Sequence, residues 1–314
     1  MKKFYSVVIM FMFALLANAQ NAAEVEGLNY SLGSDQTAVV TGSVSKSGSV
    51  VIPNTITCGG TTYNVTGISE EAFKGTKISS VVIAASVKQI GLSAFEECSS
   101  LSSVTFEEGS VLETISSSVF ATCANLSKVE FAKNGALSYI GNSAFTACSS
   151  LKEINFPASL KTIDFYAFGE CTSLKEFTFD DNAQITSIEP FAFNSCSKLA
   201  VVNLPASLTS IADMAFTSCK ALETINSSIA EPFAIGDAFD YSSKQTLYVP
   251  QGTKAKYEAA SGWKRFKNIE EKGTGIDDVV AEKASDNAVY DLQGRSAAAP
   301  AKGLYIKDGR KVIL

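Results

Sequence analysis

One segment recurs about eight times along the chain, at a spacing of 22 to 25 residues. It reads Ile-x-x-x-Ala-Phe-x-x-Cys-x-x-Leu-x-x-Val-x-Phe, and a fixed period of this size is the signature of a solenoid. Stacked copies that are nearly alike offer a long surface and no obvious catalytic pocket. The first phenylalanine of the segment marks the copies, at Phe73, Phe95, Phe120, Phe145, Phe168, Phe193, Phe216 and Phe239.

Each copy carries two periodicities, which the fourth copy, Ile140 to Phe156, illustrates well. The Val-x-Phe or Ile-x-Phe part alternates apolar and polar residues, which predicts a short strand. The Ala-Phe-x-x-Cys-x-x-Leu part places apolar residues three apart, which predicts a short helical or 3₁₀ segment. The sequence therefore predicts an α/β repeat, with parallel strands on one face, short helical turns on the other and a buried column of phenylalanines between them.

The composition excludes several classes of function. The net charge of −6 argues against nucleic acid as a partner, because such proteins need a basic surface. The sequence contains no histidine, which is the commonest general base and the commonest metal ligand. A Ser-His-Asp or Cys-His site is therefore excluded, and we predict no catalytic residue, no metal and no cofactor.

The start of the chain has the features of a secretion signal. Lys2 and Lys3 precede an apolar stretch from Phe4 to Leu16, and Ala17-Asn18-Ala19 fits an Ala-x-Ala cleavage site. We expect a signal peptide over residues 1–19 and a mature protein that does not span a membrane. The alternative is an uncleaved anchor, although the apolar run is short for a membrane span.

Composition and spacing divide the rest of the chain into five parts. Residues 20–66 are expected to form an N-terminal β cap, and residues 67–250 contain the repeats. Residues 251–271 carry Tyr257, Trp263, Phe266 and Ile269 at a spacing that predicts an amphipathic helical cap, in which Trp263 serves the core rather than a ligand. Residues 272–288 form a polar linker. Residues 289–314 form a small β-rich tail, with Asp308-Gly309 as a hairpin turn.

Six cysteines occupy one position in successive copies, and the stack places neighbours within disulfide range. Each lies three residues after the buried phenylalanine, and parallel side chains are poorly oriented for a disulfide bond. Buried free thiols are therefore favoured over disulfides, although both interpretations stay open. The six are Cys98, Cys123, Cys148, Cys171, Cys196 and Cys219, and Cys58 is the seventh.

The outward strand positions form a polar, mildly acidic face. We interpret this face as a candidate binding surface, since repeat proteins use such extended surfaces, while a merely solvated face is the alternative for any single residue. The candidate residues are Thr105, Glu130, Glu153, Asn155, Glu176, Thr178 and Asn203.

The repeat from Gly67 to Pro250 resembles the BspA-type leucine-rich repeat of bacterial surface proteins of the Bacteroidetes. The resemblance implies a right-handed leucine-rich-repeat solenoid and adhesion to host proteins, matrix or other bacteria. Tyr290-Asp291-Leu292-Gln293-Gly294-Arg295, with Gly303-Leu304-Tyr305-Ile306 after it, is similar to the C-terminal sorting tails of that group. A small accessory β-domain is the alternative for this tail.

The sequence thus predicts an exported, non-catalytic protein at the outer cell surface. Its expected partner is a host or bacterial surface protein, or a glycan. The main alternative is a structural scaffold in the periplasm or envelope. A carbohydrate-binding accessory protein is a further alternative, but such a protein needs exposed aromatic side chains, and the strand face has few.

Overall fold

The structure is a computed structural model that describes residues 21–272 and the backbone of 289–290, 304–307 and 310–313. Residues 1–19, predicted as a signal peptide, and 273–288 of the predicted linker lie outside the described residues. The described chain is a β-solenoid of about 10 turns, with parallel strands and very little helix. This confirms the predicted solenoid with parallel strands.

The strands of the solenoid and its caps are short, and many have only two residues. In chain order they are β1 (Asn21–Val25), β2 (Leu28–Leu32), β3 (Thr37–Ser43), β4 (Ser47–Ile52), β5 (Thr55–Cys58), β6 (Thr61–Ile68), β7 (Lys77–Ile83), β8 (Gln89–Ile90), β9 (Ser103–Phe106), β10 (Thr114–Ile115), β11 (Lys128–Glu130), β12 (Tyr139–Ile140), β13 (Glu153–Phe156), β14 (Thr162–Ile163), β15 (Glu176–Phe179), β16 (Ser187–Ile188), β17 (Val201–Leu204), β18 (Ser210–Ile211), β19 (Thr224–Ser227), β20 (Thr246–Val249) and β21 (Asn268–Glu271).

Two parallel ladders run along the solenoid. The main ladder contains the longer strands, paired in three runs: β4-β7-β9-β11, then β13-β15, then β17-β19-β20-β21. The minor ladder contains the two-residue strands β10-β12-β14-β16-β18. Along the main ladder apolar residues point inward and polar residues outward, as the alternation Ile154, Asn155, Phe156 in β13 shows.

The phenylalanines of successive copies form a continuous buried stack, which we call the phenylalanine spine. Consecutive rings from Phe73 to Phe239 lie 5.0 to 5.4 Å apart between centroids, with planes within 20° of parallel. All eight are buried. The predicted phenylalanine column is confirmed, and burial of the rings accounts for much of the hydrophobic stabilisation of the stack.

The prediction of a short helical or 3₁₀ segment in each copy is wrong, because this part of each copy is a chain of turns. Residues four apart, such as Ser93 and Glu97, have positive φ (53° and 59°), which interrupts any helix. The amide N–H of Phe95, between them, donates to the carbonyl of Val119 in the next copy rather than along its own segment. Other N–H groups of the segment donate to a carbonyl three residues earlier, as Cys98 does to Phe95, so the backbone hydrogen bonds lie partly within a copy and partly between copies.

The N-terminal strands continue the stack as well as cover it. Strands β1, β2 and β3 pair antiparallel, whereas β4 pairs parallel with β7 and β6 pairs parallel with β8. Strand β4 thus belongs to the main ladder and β6 forms a parallel pair with β8, so regular stacking begins before residue 67.

The predicted amphipathic helix at the C-terminal end is only partly helical. Helix α1 (Lys254–Ala259) is followed by a 3₁₀ turn (Trp263–Arg265) and then by β21, which pairs parallel with β20. Gly262 separates the helical pieces with a φ of +81°, and a Cβ there would collide with the carbonyl of Ile235. The predicted apolar residues are nevertheless buried, and Trp263 Nε1 donates to the carbonyl oxygen of Phe233 at 2.7 Å.

The backbone near the C-terminus contains three further strands, β22 (Val289–Tyr290), β23 (Leu304–Lys307) and β24 (Arg310–Ile313). They pair antiparallel in the order β22-β23-β24. Asp308-Gly309, predicted as the hairpin turn, lies outside the described residues.

Candidate binding face

The main ladder places the candidate residues in two parallel rows, and we call their outward side the strand face. Thr105 aligns with Glu130, Asn155 with Thr178, and Glu153 with Glu176. Asn203 aligns with Asn226, and Asn226 with Tyr248. The structure thus brings six of the seven candidates together as adjacent pairs, while Asn203 pairs with a residue outside the candidate set.

The Thr105–Glu130 pair is held by a hydrogen bond and a salt bridge. Thr105 Oγ1 donates to Glu130 Oε2 at 3.1 Å, and Lys128 Nζ lies 2.7 Å from Glu130 Oε1. The ammonium of Lys128, followed by the hydroxyl of Thr105, lowers the pKa of the Glu130 carboxyl below its usual range. Since both partners are exposed, this salt bridge adds little stability.

A second network links the following copies. Thr178 Oγ1 donates to Asn155 Oδ1 at 2.8 Å, and Asn155 Nδ2 donates to Asp180 Oδ1 at 2.6 Å. Further along, Asn226 Nδ2 donates to Asn203 Oδ1 at 2.9 Å. These amide and hydroxyl side chains therefore form hydrogen bonds between copies while they remain partly or fully exposed.

Glu153 and Glu176 differ from these bonded pairs. They occupy aligned positions on adjacent parallel strands, and both are exposed. Neither forms a salt bridge with any residue in the described part of the chain. Like charges directly opposite each other on a sheet destabilise it, so stability of the fold does not explain this pair.

Tyr248 also lies on the strand face, although it was not among the predicted candidates. It lies next to Asn226 in the ladder and is half-buried, with Glu270 beside it on β21. The alternation Leu247-Tyr248-Val249 contained the signal, because Tyr248 stands between two inward apolar residues. Glu270 had no comparable signal, since its segment was predicted to be helical.

The six aligned cysteines are buried free thiols that complete the hydrogen bonding of the spine. Each Sγ lies 3.0 to 3.2 Å from the carbonyl oxygen of the phenylalanine in the preceding copy, as Cys148 does with Phe120. Burial raises the pKa of Cys171 and Cys219 to about 12. The thiols of Cys171 and Cys219 are therefore neutral near pH 7, and their burial indicates a role in packing rather than in chemistry.

The described residues offer little that resembles a catalytic or metal site. One open depression of about 320 Å³ lies at the C-terminal cap, and three lysines contribute to its lining: Lys254, Lys264 and Lys267. Within residues 21–272, no group of three cysteine, aspartate or glutamate side chains is arranged to hold a metal ion. No helix in the described part of the chain is long and apolar enough to cross a membrane.

Parallel ladders, one buried phenylalanine per turn and an exposed strand face together define a leucine-rich-repeat solenoid, a class that is generally non-catalytic. The family model described as "BspA type Leucine rich repeat region" matches the chain in six copies, over residues 66–184 and 114–246. These matches cover more than half of the 314 residues. The chain therefore belongs to the BspA-type leucine-rich repeat family. No curated protein sequence matches it.

Solved structures of bacterial leucine-rich repeat proteins are similar to this chain. A leucine-rich cell surface protein from Faecalibacterium prausnitzii is 29% identical with a TM-score of 0.59, over 68% of this chain and 56% of that one. The chain thus spans little more than half of that protein. A leucine-rich repeat protein of T. pallidum is 24% identical with a TM-score of 0.46, over 70% and 84% of the two chains. One from Bacteroides capillosus is 27% identical with a TM-score of 0.33, over 51% and 98%.

Proposed function

We propose that this protein is exported to the outer cell surface and binds other proteins, without catalysis, through the strand face. The observation that carries the proposal is the aligned and exposed pair Glu153 and Glu176. The fold gains nothing from two neighbouring carboxylates, whereas a basic partner surface would neutralise both. The surface location of the similar F. prausnitzii protein supports the proposed location.

The flanking parts of the chain have proposed roles that agree with export. Residues 1–19 serve as the signal peptide, and residues 289–314 serve as a sorting signal in this proposal. The right-handed sense of the solenoid is likewise proposed from the family resemblance.

Charge reversal tests the strand face. The double variant Glu153→Lys/Glu176→Lys removes both carboxylates, and Glu113→Lys is the matched control because Glu113 is exposed and precedes the minor ladder. Beads coated with each protein are applied to immobilised extracellular-matrix proteins and to bacterial cells. We expect the double variant to lose most adhesion while Glu113→Lys retains it, with melting temperatures unchanged. Full adhesion by a folded double variant would contradict the proposal.

Protease shaving of intact source cells tests the location. Repeat peptides released from unbroken cells and identified by mass spectrometry would support an outer-surface protein. Peptides that appear only after lysis would instead favour the periplasmic scaffold and contradict the proposed location.

A further inference from the structure

A second surface lies away from the strand face, in the turn that connects the minor ladder to the phenylalanine spine. Backbone hydrogen bonds align this turn between copies: Ser143 N–H donates to the carbonyl of Phe165, and Tyr166 N–H donates to that of Pro190. We call the surface formed by three consecutive turns the aromatic edge. Its residues are Asp164, Phe165, Tyr166, Glu189, Phe191 and Met214.

Large side chains on this edge occupy backbone positions that do not favour them. Three earlier copies place a serine at the left-handed position of the turn: Ser93, Ser118 and Ser143, with φ between 53° and 56°. The next three copies place Tyr166, Phe191 and Met214 there, with φ of 54°, 60° and 62°. Bulky residues are uncommon at positive φ. Because serine supports the same turn, the fold does not require the larger side chains, and such exceptions often mark functional surfaces.

The three aromatic rings of this edge lie together at the surface, and Met214 is exposed at the equivalent turn of the next copy. Phe165 is 41% exposed and Met214 is 42% exposed, while Tyr166 and Phe191 are half-buried. The ring centroids of Phe165 and Phe191 lie 5.5 Å apart at an interplanar angle of 65°, and those of Phe165 and Tyr166 lie 6.1 Å apart. A contiguous apolar patch with polar surroundings is typical of an interaction site.

Carboxylates surround this patch. Asp164 accepts hydrogen bonds from the hydroxyl of Tyr139 and the N–H of Phe165, and Glu170 accepts one from Tyr166 Oη at 2.7 Å. Glu189 follows buried Ile188, as Asp164 follows Ile163 one copy earlier. Within residues 21–272, Asp164, Glu170 and Glu189 form no salt bridge. The patch is therefore negatively charged as well as aromatic.

The molecule itself contains an arginine held between an aromatic ring and a carboxylate, close to the C-terminal end of the same row of turns. The guanidinium carbon of Arg265 lies 4.0 Å from the ring centroid of Tyr241, and its NH1 forms a salt bridge with Asp237. Asp237 aligns with the patch, since the N–H of Met214 donates to its carbonyl. One ring and one carboxylate thus hold a guanidinium here, which is the arrangement that cation–π contacts favour.

We propose that the aromatic edge binds an arginine-bearing segment of a partner protein. The guanidinium groups stack on Phe165 and Phe191 and form salt bridges with Glu189 and neighbouring carboxylates. A glycan fits less well, because the two phenylalanine rings are steeply inclined and share no flat face for a sugar. The proposal concerns a different surface from the strand face and does not depend on it.

Fluorescence anisotropy with a labelled hexa-arginine peptide at physiological ionic strength tests the proposal, with hexa-lysine as the comparison probe. The variant Phe165→Ser/Phe191→Ser removes both rings and places at 191 the residue found at 143. Leu92→Ser is the matched control, because Leu92 is 49% exposed in the equivalent turn of an earlier copy. We expect binding at least about tenfold weaker in the double variant, from the loss of two cation–π contacts, and unchanged in Leu92→Ser.

The remaining outcomes are equally informative. If the wild-type protein binds hexa-lysine more weakly than hexa-arginine, the result supports stacking of the guanidinium groups. A smaller loss of affinity for hexa-lysine than for hexa-arginine in the double variant would support it as well. Absence of hexa-arginine binding, or equal binding by the wild-type protein and a folded double variant, would overturn the proposal. Binding of neutral cellohexaose that the double variant loses would also overturn it and identify a glycan surface. Melting curves establish that each variant is folded.

Discussion

The phenylalanine spine and the strand face differ in how much their residues vary from copy to copy, although the same turns of the solenoid contribute to both. Along the spine every copy contributes the same buried ring, and a cysteine thiol of the following copy lies against its carbonyl in six copies. Along the strand face the residue changes from copy to copy, through Thr105, Glu130, Asn155 and Thr178. A uniform interior fixes the stacking, so the exterior is free to vary, and variation of the exterior can determine which partner is bound.

Removal of one spine ring is expected to cause the largest loss of stability. Phe168→Ala should lower the free energy of unfolding by roughly 3–5 kcal/mol, because it leaves a cavity between Phe145 and Phe193. Phe165→Ala is the matched control, since Phe165 lies three residues away and is 41% exposed. Chemical denaturation measures both. A loss for Phe168→Ala no larger than that for Phe165→Ala would contradict the role of the spine.

Alkaline pH should lower the stability of the fold through the buried thiols of the spine. An unfolded thiol titrates near about pH 8.5, whereas burial raises the pKa of Cys171 and Cys219 to about 12 in the folded protein. Between these values the unfolded state loses protons and the folded state keeps them, so stability falls as pH rises. Each such thiol lowers the free energy of unfolding by up to about 1.4 kcal/mol per pH unit in this range.

Denaturation midpoints between pH 7 and pH 10 check this expectation. Stability should be nearly constant up to pH 8 and should fall above pH 9. A Cys171→Ala variant, although less stable at pH 7, should show a shallower alkaline decline. An equally steep decline in that variant would show that other groups, such as buried Tyr257, account for the effect.

Thiol accessibility gives an independent measure of the same difference between interior and exterior. Cys58 is only half-buried, whereas the six spine cysteines are at most 2% exposed. Brief treatment of the native protein with iodoacetamide should modify Cys58 alone, while the denatured protein should be modified at all seven cysteines. Mass spectrometry counts the adducts. Rapid native modification of Cys148 would show that the spine opens locally.

The spine and the strand face were predictable from sequence because each depends on apolar spacing. The alternation Ile154-Asn155-Phe156 identified both the strand and its outward residue, and the 22-to-25-residue period identified the stack. The turns were not predictable, because serine, glutamate, alanine and even Phe191 occupy left-handed positions that usually signal glycine or asparagine. The aromatic edge was missed for the same reason, since Phe165 and Phe191 follow neither periodicity.

The C-terminal cap shows a different limit of sequence reasoning. Tyr257, Trp263, Phe266 and Ile269 were correctly expected to be apolar contacts, and all are buried. Their spacing is also compatible with a helix, a 3₁₀ turn and a strand in succession. The choice among these depends on the close approach of Gly262 to Ile235 and on the pairing of β21 with β20, and both are tertiary features.

Neutralising one carboxylate of the strand face should have the smallest effect on stability. Unlike the changes above, it should stabilise the fold. Glu176→Gln removes the repulsion from Glu153 while it keeps the shape of the side chain, so unfolding should require a few tenths of a kcal/mol more, roughly 0.2–0.5. The gain should shrink in high salt, because both side chains are exposed. Glu113→Gln, outside the main ladder, should change stability by less.

If the strand face binds a partner, Glu176→Gln should also weaken adhesion. A variant that is more stable yet binds less well would show that this carboxylate pair is kept for recognition, whereas a loss of stability would show that Glu176 contributes to the fold.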